Sequence, residues 1–232
     1  MPSKIFDLPE IGQVKIYKRR GANGLRISIS PSNGVRVTEP MWLPYKAALE
    51  FAQSRKDWII KNLPKQTYLI HDRQIGKAHR LKFQSSMNTS RITGHLLRNE
   101  ARVTHPATMD LSNHKLQQAA RRIATKALTK EAQALLPQRL SQLSKDHGFN
   151  YNSVKIKRLS SRWGSCSAEK DIILNCFLMQ LPWELIDYVL LHELMHTQVL
   201  AHGKPFWAAL EKHVPNLADI RKTMRTHQPT FV

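Results

Sequence analysis

The segment His192-Glu193-Leu194-Met195-His196 constrains the fold of this 232-residue chain more than any other feature. On an α-helix, residues four apart lie on one face about one turn apart, so the two imidazoles project to the same side and can share a metal ion. Zinc suits this pair because it accepts neutral imidazole nitrogen and imposes no rigid geometry. Glu193 points about 100° away from His192, beside the metal but not among its ligands. The segment therefore predicts a helix that carries zinc, with Glu193 as general base toward a metal-activated water.

A zinc site of this kind needs a third protein ligand, and His202 is the candidate. On an unbroken helix His202 would lie roughly 9 Å beyond His196 along the axis, so the helix must end near Leu200 and the chain must turn back. Gly203 favours such a break. The spacing of the three histidines equals that of the metzincin signature, which has Gly where this chain has Val199. The pattern supports a three-histidine site but not a true metzincin.

Other side chains near this segment are weaker candidates. Glu211 is an alternative third ligand, as a glutamate is in gluzincins, and His213 ranks below it. Glu211 and Asp219 are also candidates for orienting a ligand histidine through a hydrogen bond. Phe206 and Trp207 are expected to pack the next helix against the metal-binding helix.

The first third of the chain predicts strands. Apolar and polar residues alternate with period two over residues 14–18, 25–30 and 35–38. The dipeptides Asn23-Gly24 and Asn33-Gly34 are typical of turns with positive φ. Together these patterns predict a small antiparallel β-meander.

Helical spacing follows between Pro44 and Pro64. Its expected apolar face comprises Leu49, Ala52, Trp58, Ile59 and Leu63. Short strands are expected within residues 68–83 and 92–103.

A helix-forming run follows Ser112 and closes at Gly148, and Pro137 is expected to kink or split it. Strands at residues 153–159 and 172–176 precede a helix that opens at Pro182. The whole pattern predicts an α+β fold, in which an amino-terminal antiparallel β-meander subdomain packs on a zincin-like α+β metallopeptidase core. We expect residues 1–112 to form the β-rich region with one helix and residues 113–232 the catalytic region, packed together as one unit.

Composition excludes several classes of protein. The chain is 41% hydrophobic, which is typical of a globular protein, and it has 36 Lys and Arg against 17 Asp and Glu, a net charge of +19. No apolar stretch is long enough to span a membrane, and the amino terminus lacks a secretory signal. Cys166 and Cys176 form no C-x-x-C pair, which excludes a four-thiolate site. We therefore expect a cytoplasmic protein without membrane contact.

Several segments of the chain carry a family resemblance. They are SRWGSC at 161–166, LN at 174–175, P-x-x-x-x-D-Y-V at 182–189, HELMH at 192–196, HGKPFW at 202–207 and R-x-S-x-x-x-x-G-V-R-V-T-x-P at 26–40. In these segments the chain resembles the YgjP-like (DUF45) family of predicted zinc metallopeptidases, which is related to SprT-like and gluzincin-type zinc proteins. The resemblance implies that His192, His196 and His202 bind zinc and that Glu193 is catalytic.

Residues 161–166 are interpreted as an edge strand along the cleft, with backbone groups available to an extended peptide. Arg162 would then face the developing oxyanion and contact substrate. The alternative is that Trp163 and Cys166 belong to the core and that Arg162 is a surface charge.

Three functions fit the sequence. The first is a zinc metallopeptidase that acts on a peptide or protein substrate. The second is a zinc-dependent nucleoside triphosphate pyrophosphatase or phosphohydrolase, whose anionic phosphate-containing substrate would attract the basic chain, although no P-loop signature is present. The third is a nucleic-acid-associated protease of the SprT-like kind, which would bind nucleic acid through the basic surface.

Overall fold

The computed structural model describes residues 3–30, 34–63 and 68–231. The chain divides into two compact units, Met1–Gln66 and Thr67–Val232. The division falls at residue 66 and not at 112, because buried apolar residues between Leu69 and Val103 share a hydrophobic core with the later helices. Among the described helices, none is both long enough and apolar enough to cross a membrane.

The first unit contains a four-stranded sheet and two helices. Its elements are β1 (Ser3–Leu8), β2 (Gly12–Arg19), β3 (Arg26–Ser30), β4 (Gly34–Pro40), α1 (Tyr45–Ser54) and α2 (Lys56–Asn62). The strand order is β1-β2-β4-β3, and β2 runs parallel to β4. The predicted antiparallel meander is therefore wrong.

The core explains why β4 lies beside β2. Val14 and Ile16 on β2 are opposite Val35 and Val37 on β4, and all four are at most 2% exposed. Pairing these strands puts the two most buried apolar rows side by side, while β3, whose apolar residues are half-buried, takes the edge.

Two local predictions in this unit also change. Positive φ occurs at Gly21 and Gly34 and not at Gly24, so Asn23-Gly24 is not the expected turn, and Asn33 lies outside the described residues. The predicted single helix is two helices separated at Arg55.

The apolar face of these helices differs in part from the prediction. Ala52 and Ile59 are buried as expected, and Ala48 joins them, but Trp58 is 49% exposed. Pro64, the predicted end of the helix, lies outside the described residues.

The second unit contains the remaining two sheets and four helices of the described chain. Its first sheet, in the order β5-β6-β8-β7, comprises β5 (Arg73–Gln74), β6 (Arg80–Ser86), β7 (Thr93–Leu96) and β8 (Glu100–Pro106). The second, in the order β10-β11-β9, comprises β9 (Ser153–Lys157), β10 (Gly164–Cys166) and β11 (Asp171–Asn175). The helices are α3 (His114–His147), α4 (Trp183–Met195), α5 (Lys204–Glu211) and α6 (Leu217–Met224), with a 3₁₀ turn at Cys176–Gln180. The described residues thus confirm a mixed α+β fold.

The long helix α3 runs without interruption through Pro137, so the predicted split is wrong. Asn113 caps its first turn through two backbone N–H groups, and Gly148 ends it with φ of +71°. Buried residues continue on both sides of Pro137, including Ala132, Leu136 and Leu140. Packing along the whole helix outweighs the hydrogen bond that the proline removes.

Two side-chain contacts fix α4 within this unit. Arg139 on α3 donates two hydrogen bonds to Asp187 on α4, one from Nε to Oδ1 at 2.7 Å and one from a terminal nitrogen to Oδ2 at 2.6 Å. Lys77 donates to the carbonyl of Leu181 just before α4, and its ammonium group lies over the ring of Trp183. The helix that carries the predicted metal ligands is therefore held near its start and its middle.

Candidate metal centre and cleft

The structure brings together the three histidines that the spacing singled out. His192 lies in the last turn of α4, His196 follows that helix directly, and His202 precedes α5. Their Nε2 atoms are 3.2 Å apart between His192 and His196, 3.0 Å between His196 and His202, and 2.9 Å between His202 and His192. The helix ends at Met195 and the chain turns back, as the third histidine requires. Among the described residues, these three form the group of ligand atoms close enough to share one metal ion.

The protonation states of three such nitrogens show why a cation fits between them. Each neutral Nε2 carries either a proton or a lone pair, so at least two of the three are in the same state. At least one pair of rings therefore faces N–H against N–H or lone pair against lone pair, and neither arrangement is a hydrogen bond. His196 Nδ1 donates to the carbonyl of Val199 at 3.1 Å, which leaves the Nε2 lone pair facing the other rings. A tetrahedral zinc with bonds of 2.0–2.1 Å would separate its ligands by about 3.3 Å, close to the distances found. The donor set therefore fits a metal ion.

The burial of the site favours neutral imidazoles. Burial, and then the charges of His196 and His202, lowers the pKa of His192 to about 3. Phe206, which is fully buried, contacts all three rings with centroid distances of 4.6–5.0 Å. Burial also lowers the pKa of His196. The three rings thus pack on an apolar side chain, and His192 and His196 are held in the neutral form that binds metal.

Glu193 is the carboxylate of this site, and it is only 5% exposed. No described residue donates a hydrogen bond to it, and burial raises its pKa to about 8 against the opposing charge of Arg162. A Cβ added at Gly164 on β10 would lie 2.7 Å from Glu193 Oε1 and 2.8 Å from Cγ. The glycine thus makes room for a carboxylate that is poised between its charged and neutral forms.

The histidines and Glu193 open into a cleft of about 790 Å³. One wall is the segment 161–166, whose strand β10 is an edge of its sheet and pairs only with β11. Asn175, fully buried at the end of β11, holds this segment by donating to the carbonyls of Leu159 and Arg162, each at 2.8 Å. The edge strand predicted over residues 161–166 is present only over Gly164–Cys166, and Arg162 lines the cleft from the irregular segment before it.

Several cleft residues were not foreseen from the sequence. Tyr188 lies one turn before His192 on α4, so helical spacing alone could have identified it. Arg221 lies on α6 and Arg225 directly follows that helix, and no local pattern connects them to the histidines. Trp207 Nε1 donates to the carbonyl of His202 at 3.1 Å, in addition to the packing expected of it.

Other candidates lie away from the metal-binding group. Glu211 and Asp219 are exposed and do not line the cleft. His213 contacts His147 at the end of α3, with 3.0 Å between their Nδ1 atoms. The structure therefore does not bring these three candidates to the histidine triad.

A histidine triad beside a buried carboxylate fits the class of metal-dependent hydrolases, and comparison with known proteins identifies the family as one of metallopeptidases. The family model described as YgjP-like, metallopeptidase domain, matches residues 23–227, so the chain belongs to the YgjP-like family. No curated protein matches the chain. Among solved structures it is similar to the metallopeptidase zymogen abylysin of Pyrococcus abyssi, with 24% identity over 40% of this chain and 93% of that chain, at a TM-score of 0.36.

Proposed function

We propose that this protein is a zinc-dependent peptidase of the zincin-like kind, whose metal is held by His192, His196 and His202. The observation that carries this proposal is the convergence of three Nε2 atoms within 3.2 Å of one another. Nitrogen ligands of this number and spacing suit zinc, with a fourth position left open. When bound, zinc would acidify a coordinated water and polarise the scissile carbonyl.

Glu193 acts as the general base in this proposal. Its carboxylate receives no hydrogen bond from a described residue and lies at the cleft beside His192, so its lone pairs are available to a proton. A carboxylate in this position can take a proton from the water and then deliver it to the leaving amine. Gly164 and the buried position of the side chain keep the carboxylate in place.

The edge strand β10 provides the binding surface for an extended peptide. Its outer backbone groups have no strand partner, because β11 pairs with only one side of it. A peptide that adds to this edge would align its backbone along the cleft, beside Glu193. Arg162, whose carbonyl is fixed by Asn175, would then face the developing oxyanion.

The experiment compares zinc content with peptide hydrolysis in single variants. His192→Ala is expected to lose zinc, measured by atomic emission, because two ligands remain. Glu193→Gln is expected to keep zinc and to lose hydrolysis of a fluorogenic peptide library. The control is His114→Ala, which removes an exposed histidine at the start of α3 and should change neither quantity. Unchanged zinc in His192→Ala, or full activity in Glu193→Gln, would contradict the proposal.

The nucleotide hydrolase remains the alternative that this experiment can exclude. The comparisons point to a peptidase and lend no support to phosphate or nucleic-acid substrates. Pyrophosphate release from nucleoside triphosphates, lost in Glu193→Gln while no peptide is cleaved, would favour the alternative. Cytoplasmic residence stays a prediction that rests on the two cysteines, Cys166 and Cys176, both of which are free thiols.

A further inference from the structure

The cleft carries an excess of positive charge. Its lining includes three arginines, Arg162, Arg221 and Arg225, and one carboxylate, Glu193. None of these guanidinium groups forms an ion pair or a side-chain hydrogen bond with another described residue. Elsewhere in the unit, arginines such as Arg139 are paired with carboxylates. Unpaired guanidinium groups in a cleft are donors left for a ligand.

Arg221 is held in place although it has no anionic partner. Its Cζ lies 3.7 Å from the ring centroid of Trp207, a cation–π contact. Trp207 in turn donates to the carbonyl of His202, and its ring stacks on that histidine with centroids 5.6 Å apart. The contact with the ring orients the guanidinium group without using its N–H donors. Arg221 is thus linked to the metal-binding loop through one aromatic ring.

Arg225 extends the same surface. It lies four residues after Arg221 and directly follows α6 with helical backbone angles, so the two side chains project from the same side, and both line the cleft. Arg162 belongs to another part of the cleft, beside Glu193, where its charge opposes the rise in the pKa of that carboxyl. Arg221 and Arg225 therefore form a cationic pair on an element other than the one that carries Arg162.

We propose that Arg221 and Arg225 form a carboxylate-binding subsite, which makes the protein select peptides that present a carboxylate near the cleaved bond. This inference rests on the proposed peptidase function. Guanidinium groups bind carboxylates through paired, charge-assisted hydrogen bonds, and a partly enclosed cleft strengthens that attraction. The carboxylate would come either from an Asp or Glu side chain or from the carboxyl terminus of the peptide.

The experiment measures binding and cleavage with matched peptides. One arm compares Glu with Gln at each position around the cleaved bond in peptides with amidated ends. The other compares a free carboxyl terminus with its amide in otherwise neutral peptides. Binding is measured by fluorescence anisotropy on zinc-loaded Glu193→Gln, so it does not depend on turnover. We expect one arm to favour the acid by about 10- to 100-fold in Kd.

The variants assign that preference to the subsite. Arg221→Gln should reduce the acid-over-amide ratio to near one, and Arg221→Lys should retain part of it because the charge remains without the planar fork. The control, Lys222→Gln, removes an equal charge from an exposed residue of the same helix that does not line the cleft. It should leave the ratio unchanged. Melting temperatures of the variants report whether they remain folded.

The outcomes separate this inference from the proposed function. Cleavage of acidic and neutral peptides at equal rates, with equal affinities, overturns the subsite and leaves the peptidase in place. An acid preference that survives in Arg221→Gln, or disappears in Lys222→Gln, also overturns it. Competition by a nucleoside triphosphate that exceeds that of every acidic peptide, and that Arg221→Gln abolishes, assigns the arginines to phosphate and contradicts the carboxylate subsite.

Discussion

Replacing Gly164 by alanine tests the placement of the proposed base against the edge strand. The backbone of Gly164 does not have positive φ, so alanine adopts its conformation without strain. The added Cβ, however, would lie 2.7 Å from Oε1, 2.8 Å from Cγ and 2.9 Å from Cδ of Glu193. Three atoms of one buried side chain are too close, so the substitution acts on that side chain.

The size of the effect follows from these distances. Carbon atoms in contact are normally about 3.5 Å or more apart, so the Glu193 side chain must move by roughly 0.7 Å. A displacement of about 1 Å in a catalytic group costs on the order of 10²-fold in rate. Overpacking by one methyl group costs about 1–3 kcal/mol of unfolding free energy, which lowers the melting temperature by roughly 2–12 °C in a protein of this size. Zinc content should not change, because the three atoms nearest to the new methyl group all belong to Glu193 and none to a histidine.

The assay records kcat on a cleaved peptide, melting temperature and zinc content for Gly164→Ala beside a matched glycine variant. Gly24→Ala is that variant, since its added Cβ has no atom within 4 Å and its φ is not positive. It should behave as the wild type. The steric origin is checked in the Glu193→Asp background, where the shorter side chain should relieve part of the destabilisation without restoring activity. Wild-type stability and kcat in Gly164→Ala would refute the contact between β10 and Glu193.

Three further perturbations test the contacts that support the site and its binding of metal. Arg139→Met should cost about 1 kcal/mol in urea unfolding, since the pair with Asp187 is partly exposed, and high salt should reduce the difference. Glu131→Gln should lower the free energy of unfolding by about 2 kcal/mol or more in the same measurement, because the amide N–H group of Gln would face the backbone N–H donors of residues 77–79. The control Glu50→Gln, at an exposed glutamate, should leave the free energy of unfolding unchanged. Removal of metal by a chelator should lower the melting temperature. Zinc at about 1,000 times its Kd should then raise the free energy of unfolding by about 4 kcal/mol. A melting temperature that the chelator does not change would contradict a metal site in the folded chain.

The sequence predicts the parts of the fold that depend on residues close together in the chain. It does not predict which strands pair with each other. Alternation identified strands β2 to β4 and missed β1, and it gave no information on which strands lie side by side. The parallel pairing of β2 with β4 depends on which apolar rows bury each other across the sheet. Pro137 shows the opposite case, in which a strong local signal is overridden by the packing of α3 on both sides of it.

The same distinction applies to the site. His192 and His196 are linked by helical geometry, and His202 by the requirement for a third ligand, so spacing alone was sufficient to group them. Arg221 depends instead on how α6 packs beside Trp207, which no pattern in the sequence records. Local geometry thus predicts which histidines come together, whereas the residues proposed to select the substrate emerge only from tertiary structure.

Two buried glutamates of the second unit show how structure separates a supporting carboxylate from a reactive one. Glu131 and Glu193 are each 5% exposed, and each fills the space that a Cβ would occupy at a glycine, Gly76 and Gly164 respectively. Glu131 accepts hydrogen bonds from three backbone N–H groups and contacts the ring of His79. Its charge is satisfied, and such a carboxylate anchors a loop.

Glu193 has the same burial without any described donor. Its ionised form is therefore disfavoured in the folded protein, and burial raises the pKa of this carboxyl to about 8. Burial of a carboxylate without donors costs stability, and groups with strongly perturbed pKa values cluster at functional sites. The side chain lies beside three imidazoles whose spacing fits a metal, at the edge of an open strand. The difference in donors between these two glutamates, rather than their burial, is the feature that favours a catalytic role for Glu193.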